Sequence, residues 1–366
     1  MEPVSRETEV VTYHPETSTD DVAQRLNHLA NEVQRPFWYF AQNVHRYAAN
    51  PLHEDSLTDS VAKRFLSGGA HAIGASLGAF LALAGFALKG LSNRFHSREF
   101  TYWEGLGEEV CPERPKVLHL NACMFPGGLP YAFGGVRTAG ERMEQLKAFV
   151  ESINPDIFFL CEFSQTLSGK LFESFQESYR HFLVNVGSNA KGMDASMTVV
   201  SREPIVNEPK FFPSKIEAEE EQKSSYRGFF HVETEKVHYL YVHLHPKETN
   251  RAKEIRLEQL AEIRKITEEF ANGKVWVVLG DINIERGSAG HRSMLEMGFR
   301  DLIQEQHGNV ETCINGLEAG GKRDPESIDG FLVIGGDLVM QTEIHDTYED
   351  PRKALSDHKG ISALLG

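Results

Sequence analysis

The stretch Val275-Trp276-Val277-Val278-Leu279-Gly280-Asp281-Ile282-Asn283 decides how this chain is read. Its apolar run from Val275 to Leu279 has the character of a buried strand, and that strand ends on a carboxylate and an amide. Taken alone, Asp281 and Asn283 are explained equally well by an Asx turn and by a functional role. The same arrangement recurs along the chain. Leu118-His119-Leu120 runs into Asn121, Phe158-Phe159-Leu160-Cys161 into Glu162, and Leu240-Tyr241-Val242 into His243; Ser356-Asp357-His358 follows near the C-terminus. Rigid strands hold the groups at their ends while the loops beyond admit substrate, so catalytic and ligating residues collect there. An isolated His243 after an apolar strand is usually a hydrogen-bonded structural histidine. Glu162 is harder to dismiss, because a carboxylate beside a buried strand needs a cation or a donor to offset its desolvation.

Outward from these strand ends, residues 116–366 read as one α/β domain. Buried strands are expected at Val117–Leu120, Ile157–Leu160, Met197–Val200, Tyr239–Val242, Val275–Leu279 and Phe331–Ile334. Helical spacing appears at Glu141–Ile153 and at Lys253–Asn272, where Ile255, Leu260, Ile263, Ile266 and Phe270 share a face. The acidic run Glu217, Glu219, Glu220 and Glu221 is expected in an exposed loop.

In this order the motifs resemble the endonuclease/exonuclease/phosphatase superfamily of metal-dependent phosphoesterases, over about Lys116 to Gly366. The matching positions are Asn121 closing the first strand, Leu160-Cys161-Glu162, Val242-His243-Leu244, Gly280-Asp281-Ile282-Asn283, Ile328-Asp329 and Ser356-Asp357-His358. Cys161 stands where the family more often has Gln, and Val242 where it has Thr; neither change removes a catalytic group. Val199-Val200-Ser201-Arg202-Glu203-Pro204-Ile205 and Arg256-x-x-Gln259-Leu260 are similar to intervening family segments. The resemblance implies a two-sheet β-sandwich flanked by helices in four layers, α/β/β/α. It also implies Mg²⁺, a hard cation that takes a few carboxylate or amide oxygens plus water, held by Glu162 and Asn121 with Asp357 supporting the metal shell. By the same resemblance His358 is the general base and Asp329 holds its imidazole; Asp281 orients water or stabilises the phosphorane-like state; Asn283 and His243 bind the scissile phosphate. Schemes for this fold differ on whether Asp281 or His358 is the base, and the sequence leaves that open.

The N-terminal third is different in kind. From Phe65 to Leu88 the chain carries no charge, with Lys63 and Arg64 before it and Lys89, Arg94 and Arg98 after it. A helix of this length spans about 36 Å, against a hydrocarbon core of about 30 Å. Seven Ala and five Gly keep its hydrophobicity mild. Three readings follow: a single-pass membrane helix, which is the one adopted here, a shallower membrane association, and a soluble core helix. Gly74 and Gly78 form a GxxxG pair suited to close helix–helix approach, including self-association. Val22, Leu26, Leu29 and Val33 mark an amphipathic helix expected to end before Pro36, followed by the aromatic cluster Phe37-Trp38-Tyr39-Phe40. The organisation is thus a tail over 1–18, a helical region over 19–64, the membrane segment 65–88, a linker over 89–115 and the catalytic domain from 116.

Net charge narrows the substrate. With 38 Lys plus Arg against 53 Asp plus Glu, the chain carries −15, which excludes a protein that coats nucleic acid by phosphate attraction. Four cysteines without CxxC spacing point to reduced thiols and a reducing compartment, and no cleavable signal peptide is expected near Met1. Within the superfamily, the uncharged segment, the absence of a basic track and Arg137-Thr138-Ala139-Gly140-Glu141-Arg142, which looks like a helix start of neutral sphingomyelinases, favour a phospholipid, sphingomyelin above others. The alternatives are a phosphatase on another lipid or small phosphoester, a Mg²⁺-dependent nuclease, and an inactive membrane-bound scaffold.

Overall fold

The computed structural model describes residues 18–44, 61–92, 94–95, 99–125, 128, 136–187, 195–215, 227–246, 248–315, 324–336, 338, 340–348 and 353–366. The expected tail up to residue 17 and the acidic run at Glu217–Glu221 lie outside the described residues.

Two large β-sheets form the catalytic part, beside a short antiparallel pair of β11 (Cys313–Asn315) and β12 (Asp324–Glu326). The first has seven strands in the order β1-β4-β5-β3-β2-β15-β14. These are β1 (Thr101–Glu104), β4 (His181–Val184), β5 (Thr198–Ser201), β3 (Ile157–Phe163), β2 (Lys116–Met124), β15 (Gly360–Leu365) and β14 (Met340–His345). The second has six in the order β10-β13-β9-β8-β7-β6. They are β10 (Arg300–Asp301), β13 (Asp329–Ile334), β9 (Val275–Asp281), β8 (Val237–His243), β7 (Gly228–Glu233) and β6 (Lys210–Pro213). Strand alternation gives each sheet two buried faces. Val117, Phe159, Val199 and Ile361 of the first sheet meet Phe230, Tyr239, Tyr241, Val277, Leu279 and Phe331 of the second in a shared core.

Helices cover the outer faces. Leu118, Leu120, Phe158 and Leu160 pack against α3 (Ala139–Ile153) through Met143, Leu146 and Val150, and α4 (Ser168–Phe175) joins the same cluster through Leu171 and Phe175. Leu240, Val242 and Val278 pack against α5 (Asn250–Glu269) through Leu260 and Ile263. The result is the expected four-layer α/β/β/α sandwich. All six expected strands are present, each buried on both faces, which is why they read as near-continuous apolar runs. α5 ends at Glu269, so Ala271 and Asn272 fall outside the helix expected there. Thr101–Glu104, assigned to the linker from sequence, is instead an edge strand paired antiparallel with β4. Four residues carry too little periodicity to announce a strand, and pairing supplies what pattern does not. All four cysteines are free.

The N-terminal part consists of two long helices packed on each other, α1 (Ser18–Val44) and α2 (Val61–Ser92). α1 does not stop before Pro36 as expected but continues through it. Pro36 lies on the exposed side of the helix, and the contacts of α1 with α2 along both sides of it offset the lost backbone hydrogen bond. The face of α1 turned to α2 is Ala30-Gln34-Phe37-Phe40, while Val22 and Leu29 of the expected apolar face are exposed. A Cβ on Gly74 would overlap the Phe40 ring and one on Gly78 the Phe37 backbone, so the GxxxG face of α2 contacts α1 of the same chain. Phe65, Ile73, Leu77, Phe80 and Leu83 on α2 are exposed.

Candidate active site

The strand ends converge at one end of the sandwich. Parallel pairing of β8 with β9 sets His243 beside Asp281, and antiparallel pairing of β9 with β13 sets Asp281 beside Asp329, so the three form a row across the second sheet. All share the parity of core residues such as Tyr241, Leu279 and Phe331 and therefore face the first sheet. From that sheet β2 brings Asn121, with the parity of Val117. Glu162 breaks the alternation of β3. Its φ of 51° turns it into the left-handed region, and its Oε1 comes within 3.7 Å of His243 Nε2. Gly280 is required for similar reasons: its φ is 141°, and a Cβ there would overlap the Val242 carbonyl oxygen of the neighbouring strand.

At the centre is a histidine–aspartate pair. His358 Nδ1 donates to Asp329 Oδ2 at 2.9 Å, leaving Nε2 3.3 Å from Asn121 Nδ2 and 3.8 Å from Asp281 Oδ2. Burial pulls the His358 pKa down, but Asp329 more than reverses this and holds it well above the ordinary histidine value. Burial acts against Asp329 as a carboxylate as well, yet His358 and His119 keep it below the usual range. Asn121 Nδ2 donates to Asp281 Oδ2 at 3.1 Å, and the backbone N–H of Asn283 donates to Asp281 Oδ1 at 3.0 Å. Burial pushes Asp281 up to about 6 against the pull of His358. The Asn283 side chain donates to the Leu244 carbonyl at 3.1 Å. His243 is held neutral by burial and by Arg227, and its Nε2 has no hydrogen-bond partner among the described residues.

Glu162 has the environment of a cation ligand. Its side chain is 25% exposed, and burial together with Asp357 pushes its pKa up to about 7. Two carboxylates and a buried, unpaired His243 Nε2 turned toward one another are costly unless positive charge lies between them. The donor set, carboxylates and one amide oxygen, suits a hard divalent cation. The structure thus brings Asn121, Glu162, His243, Asp281, Asn283, Asp329, Asp357 and His358 to one end of the sandwich.

Three supporting residues were not singled out as site residues from sequence. His119 Nε2 donates to Asp329 Oδ1 at 3.0 Å and its Nδ1 accepts from Tyr241 Oη at 3.4 Å, so Asp329 is clamped between two imidazoles. Its signal was a histidine at an inward-facing position of an otherwise apolar strand. Thr312 Oγ1 accepts from the backbone N–H groups of Ile328 and Asp329 at 3.0 and 3.1 Å. Arg142, noted only as part of a helix start, is fully buried and donates to the carbonyls of Ala122, Cys123 and Leu355 at 3.1, 2.6 and 2.5 Å. It ties the end of β2 to the loop that carries His358.

Comparison with known proteins agrees with this geometry. No curated protein sequence matches the chain. Among solved structures, sphingomyelinase C from Streptomyces griseocarneus superposes with a TM-score of 0.51 at 19% identity, covering 70% of this chain and 100% of its own. A beta toxin mutant from Staphylococcus aureus with bound magnesium ions gives 0.52 at 19% identity, covering 68% and 99%. D. rerio TDP2 complexed with a single-strand DNA product gives 0.51 at 14% identity, covering 70% and 100%. At these identities the likeness is one of fold. A family model matches residues 119–352, the span that contains every strand-end residue above except the Ser356-Asp357-His358 motif, and the chain therefore belongs to the Endonuclease/Exonuclease/phosphatase family, whose members are metal-dependent phosphoester hydrolases.

Proposed function

We propose that this chain is a Mg²⁺-dependent phosphodiesterase that cleaves a phospholipid headgroup, converting sphingomyelin and water to ceramide and phosphocholine. The observation that carries the lipid assignment is the exposed apolar surface of α2, whose segment Phe65–Ser92 is long and apolar enough to cross a membrane. A chain anchored in this way works where phospholipid headgroups are concentrated. It is membrane-associated and single-pass in this reading, with its thiols in a reducing compartment.

The hydrogen bonds support the following roles. In its neutral form His358 takes the proton from the attacking water at Nε2, because Nδ1 is already committed to Asp329, which stabilises the imidazolium that forms. Asp281, held by Asn121 and the Asn283 backbone, orients that water. His243 Nε2 and Asn283 face the scissile phosphate. Glu162 and Asn121 would hold Mg²⁺, with Asp357 supporting the shell; when bound, the ion would supply positive charge against the phosphoryl oxygens. The second reading, a nuclease, is favoured by one observation: a fold likeness of equal TM-score to TDP2 complexed with DNA product.

A substrate panel decides. The purified chain with Mg²⁺ is offered sphingomyelin vesicles, phosphoinositide vesicles and plasmid DNA. Phosphocholine release without nicking supports the proposal, and nicking alone replaces it with the nuclease.

A further inference from the structure

A second cluster of ligating side chains lies at the other end of the β7–β8 hairpin. His231 and Glu233 lie two apart on β7, and Glu233 pairs across the ladder with His238 of β8, so all three point to the same face. His238 and His243 stand at opposite ends of β8, about 17 Å apart at about 3.4 Å per residue. The cluster is therefore separate from the strand ends described above. His231, Glu233 and His238 are buried, beneath a rim where Asn207, Lys210 and Asn272 are exposed.

The hydrogen bonds determine which nitrogens are free to ligate. Asn272 Nδ2 donates to Glu233 Oε1 at 3.2 Å, and Asn272 Oδ1 accepts from the Lys274 backbone N–H at 3.2 Å, so the amide is oriented. His238 Nε2 lies 2.8 Å from that Oδ1 and therefore carries the proton. Its Nδ1 presents a lone pair to His231 Nε2 at 2.9 Å and lies 3.7 Å from Glu233 Oε2. A histidine whose second N–H is tied to an oriented carbonyl oxygen is the usual arrangement behind a metal-bound imidazole. The ring is also fixed by stacking on Trp276, with centroids 4.3 Å apart.

We propose that His231 Nε2, His238 Nδ1 and Glu233 Oε2 form a binding site for a zinc-type divalent transition ion, distinct from the Mg²⁺ centre. The three donor atoms lie within 4.8 Å of one another. Tetrahedral zinc, with bonds of about 2.0–2.1 Å, needs donor separations of about 3.3–3.4 Å, and the two separations of 2.9 and 3.7 Å bracket that value. Two imidazoles and one carboxylate favour zinc, cobalt or nickel over Mg²⁺, which takes oxygen donors. Burial and His238 push His231 down to about 3, so it is neutral. Burial works against the Glu233 carboxylate, but hydrogen bonds from Lys274 and Asn207 outweigh it and keep the group ionised. Binding requires only that the His231 proton move from Nε2 to Nδ1, the nitrogen that has no hydrogen-bond partner among the described residues. An ion here would fasten the hairpin that carries His243 at its far end.

Equilibrium dialysis of the full chain against Zn²⁺, with excess Mg²⁺ in the buffer, tests this. A single equivalent of zinc is expected, retained in Glu162→Gln and weakened about tenfold or more in His231→Gln and His238→Gln. Zinc retained in both histidine variants, or lost in Glu162→Gln alone, overturns the site. Should the histidine variants fail to fold, imidazole ¹⁵N NMR of the unaltered chain gives the same decision. Zinc must shift the His231 and His238 nitrogens, and resonances that do not move overturn the proposal.

Discussion

At the scale of single residues, the site depends on charge held away from water. Glu162, raised to about 7 by burial and by Asp357, can ligate only when deprotonated. The carboxylate is the binding form and becomes more populated as pH rises, so the Mg²⁺ concentration for half-maximal activity should rise as pH falls from roughly 8 to 6. A titration of activity against Mg²⁺ at several pH values checks this; a midpoint independent of pH would remove Glu162 from the metal shell. Glu162→Gln should weaken Mg²⁺ affinity about 10- to 100-fold, and His358→Ala should lower kcat about 10²- to 10⁴-fold. His119 acts one step back, through Asp329. His119→Ala should lower kcat about tenfold with KM unchanged, and His119→Gln, which keeps a donor toward Asp329 Oδ1, should recover part of the loss. Steady-state kinetics on the substrate identified by the panel separates these outcomes. Glu162 and Asp281 were legible in the sequence because each ends an apolar run, and His358 because Ser356-Asp357-His358 resembles a family motif. His119, Thr312 and Arg142 were not, because their partners are 210, 17 and up to 213 residues away.

At the scale of elements, two glycine positions carry predictions. Gly280 combines a left-handed φ with close approach to Val242, so Gly280→Ala should cost about 1–3 kcal/mol for the backbone conformation and more for the displaced β8. Urea unfolding followed by fluorescence measures it; an unchanged midpoint would show that β8 and β9 can separate freely at this point. A Cβ on Gly78 would lie 2.9 Å from the Phe37 Cα, and Gly78→Leu should separate α1 from α2 while leaving the β-sandwich folded. Hydrogen exchange that rises in α1 but not in β2 or β9 is the expected result. The GxxxG spacing was visible in the sequence; that its neighbour is α1 of the same chain was not, because small residues announce close packing without naming the partner. The passage of α1 through Pro36 was likewise invisible, since the local penalty of proline is read from sequence and the compensating contacts with α2 are not.

At the scale of the whole molecule, an acidic hydrolase and an apolar helix packed on an amphipathic one share one chain of net charge −15. If α2 spans a bilayer, Leu77→Arg combined with Phe80→Arg, two exposed positions near its middle, should release the chain into the soluble fraction on carbonate extraction. Retention of the double variant in the pellet would mean that α2 does not span. The sequence by itself determined the α/β class and the order of the strand-end motifs, because those depend on local periodicity and on residue type. Tertiary structure alone decided that Thr101–Glu104 joins the first sheet, that Asp329 is clamped by His119 as well as His358, and that His231, Glu233 and His238 meet. Each of these is a pairing across strands or sheets, and no local pattern records which distant residue will complete a buried hydrogen bond.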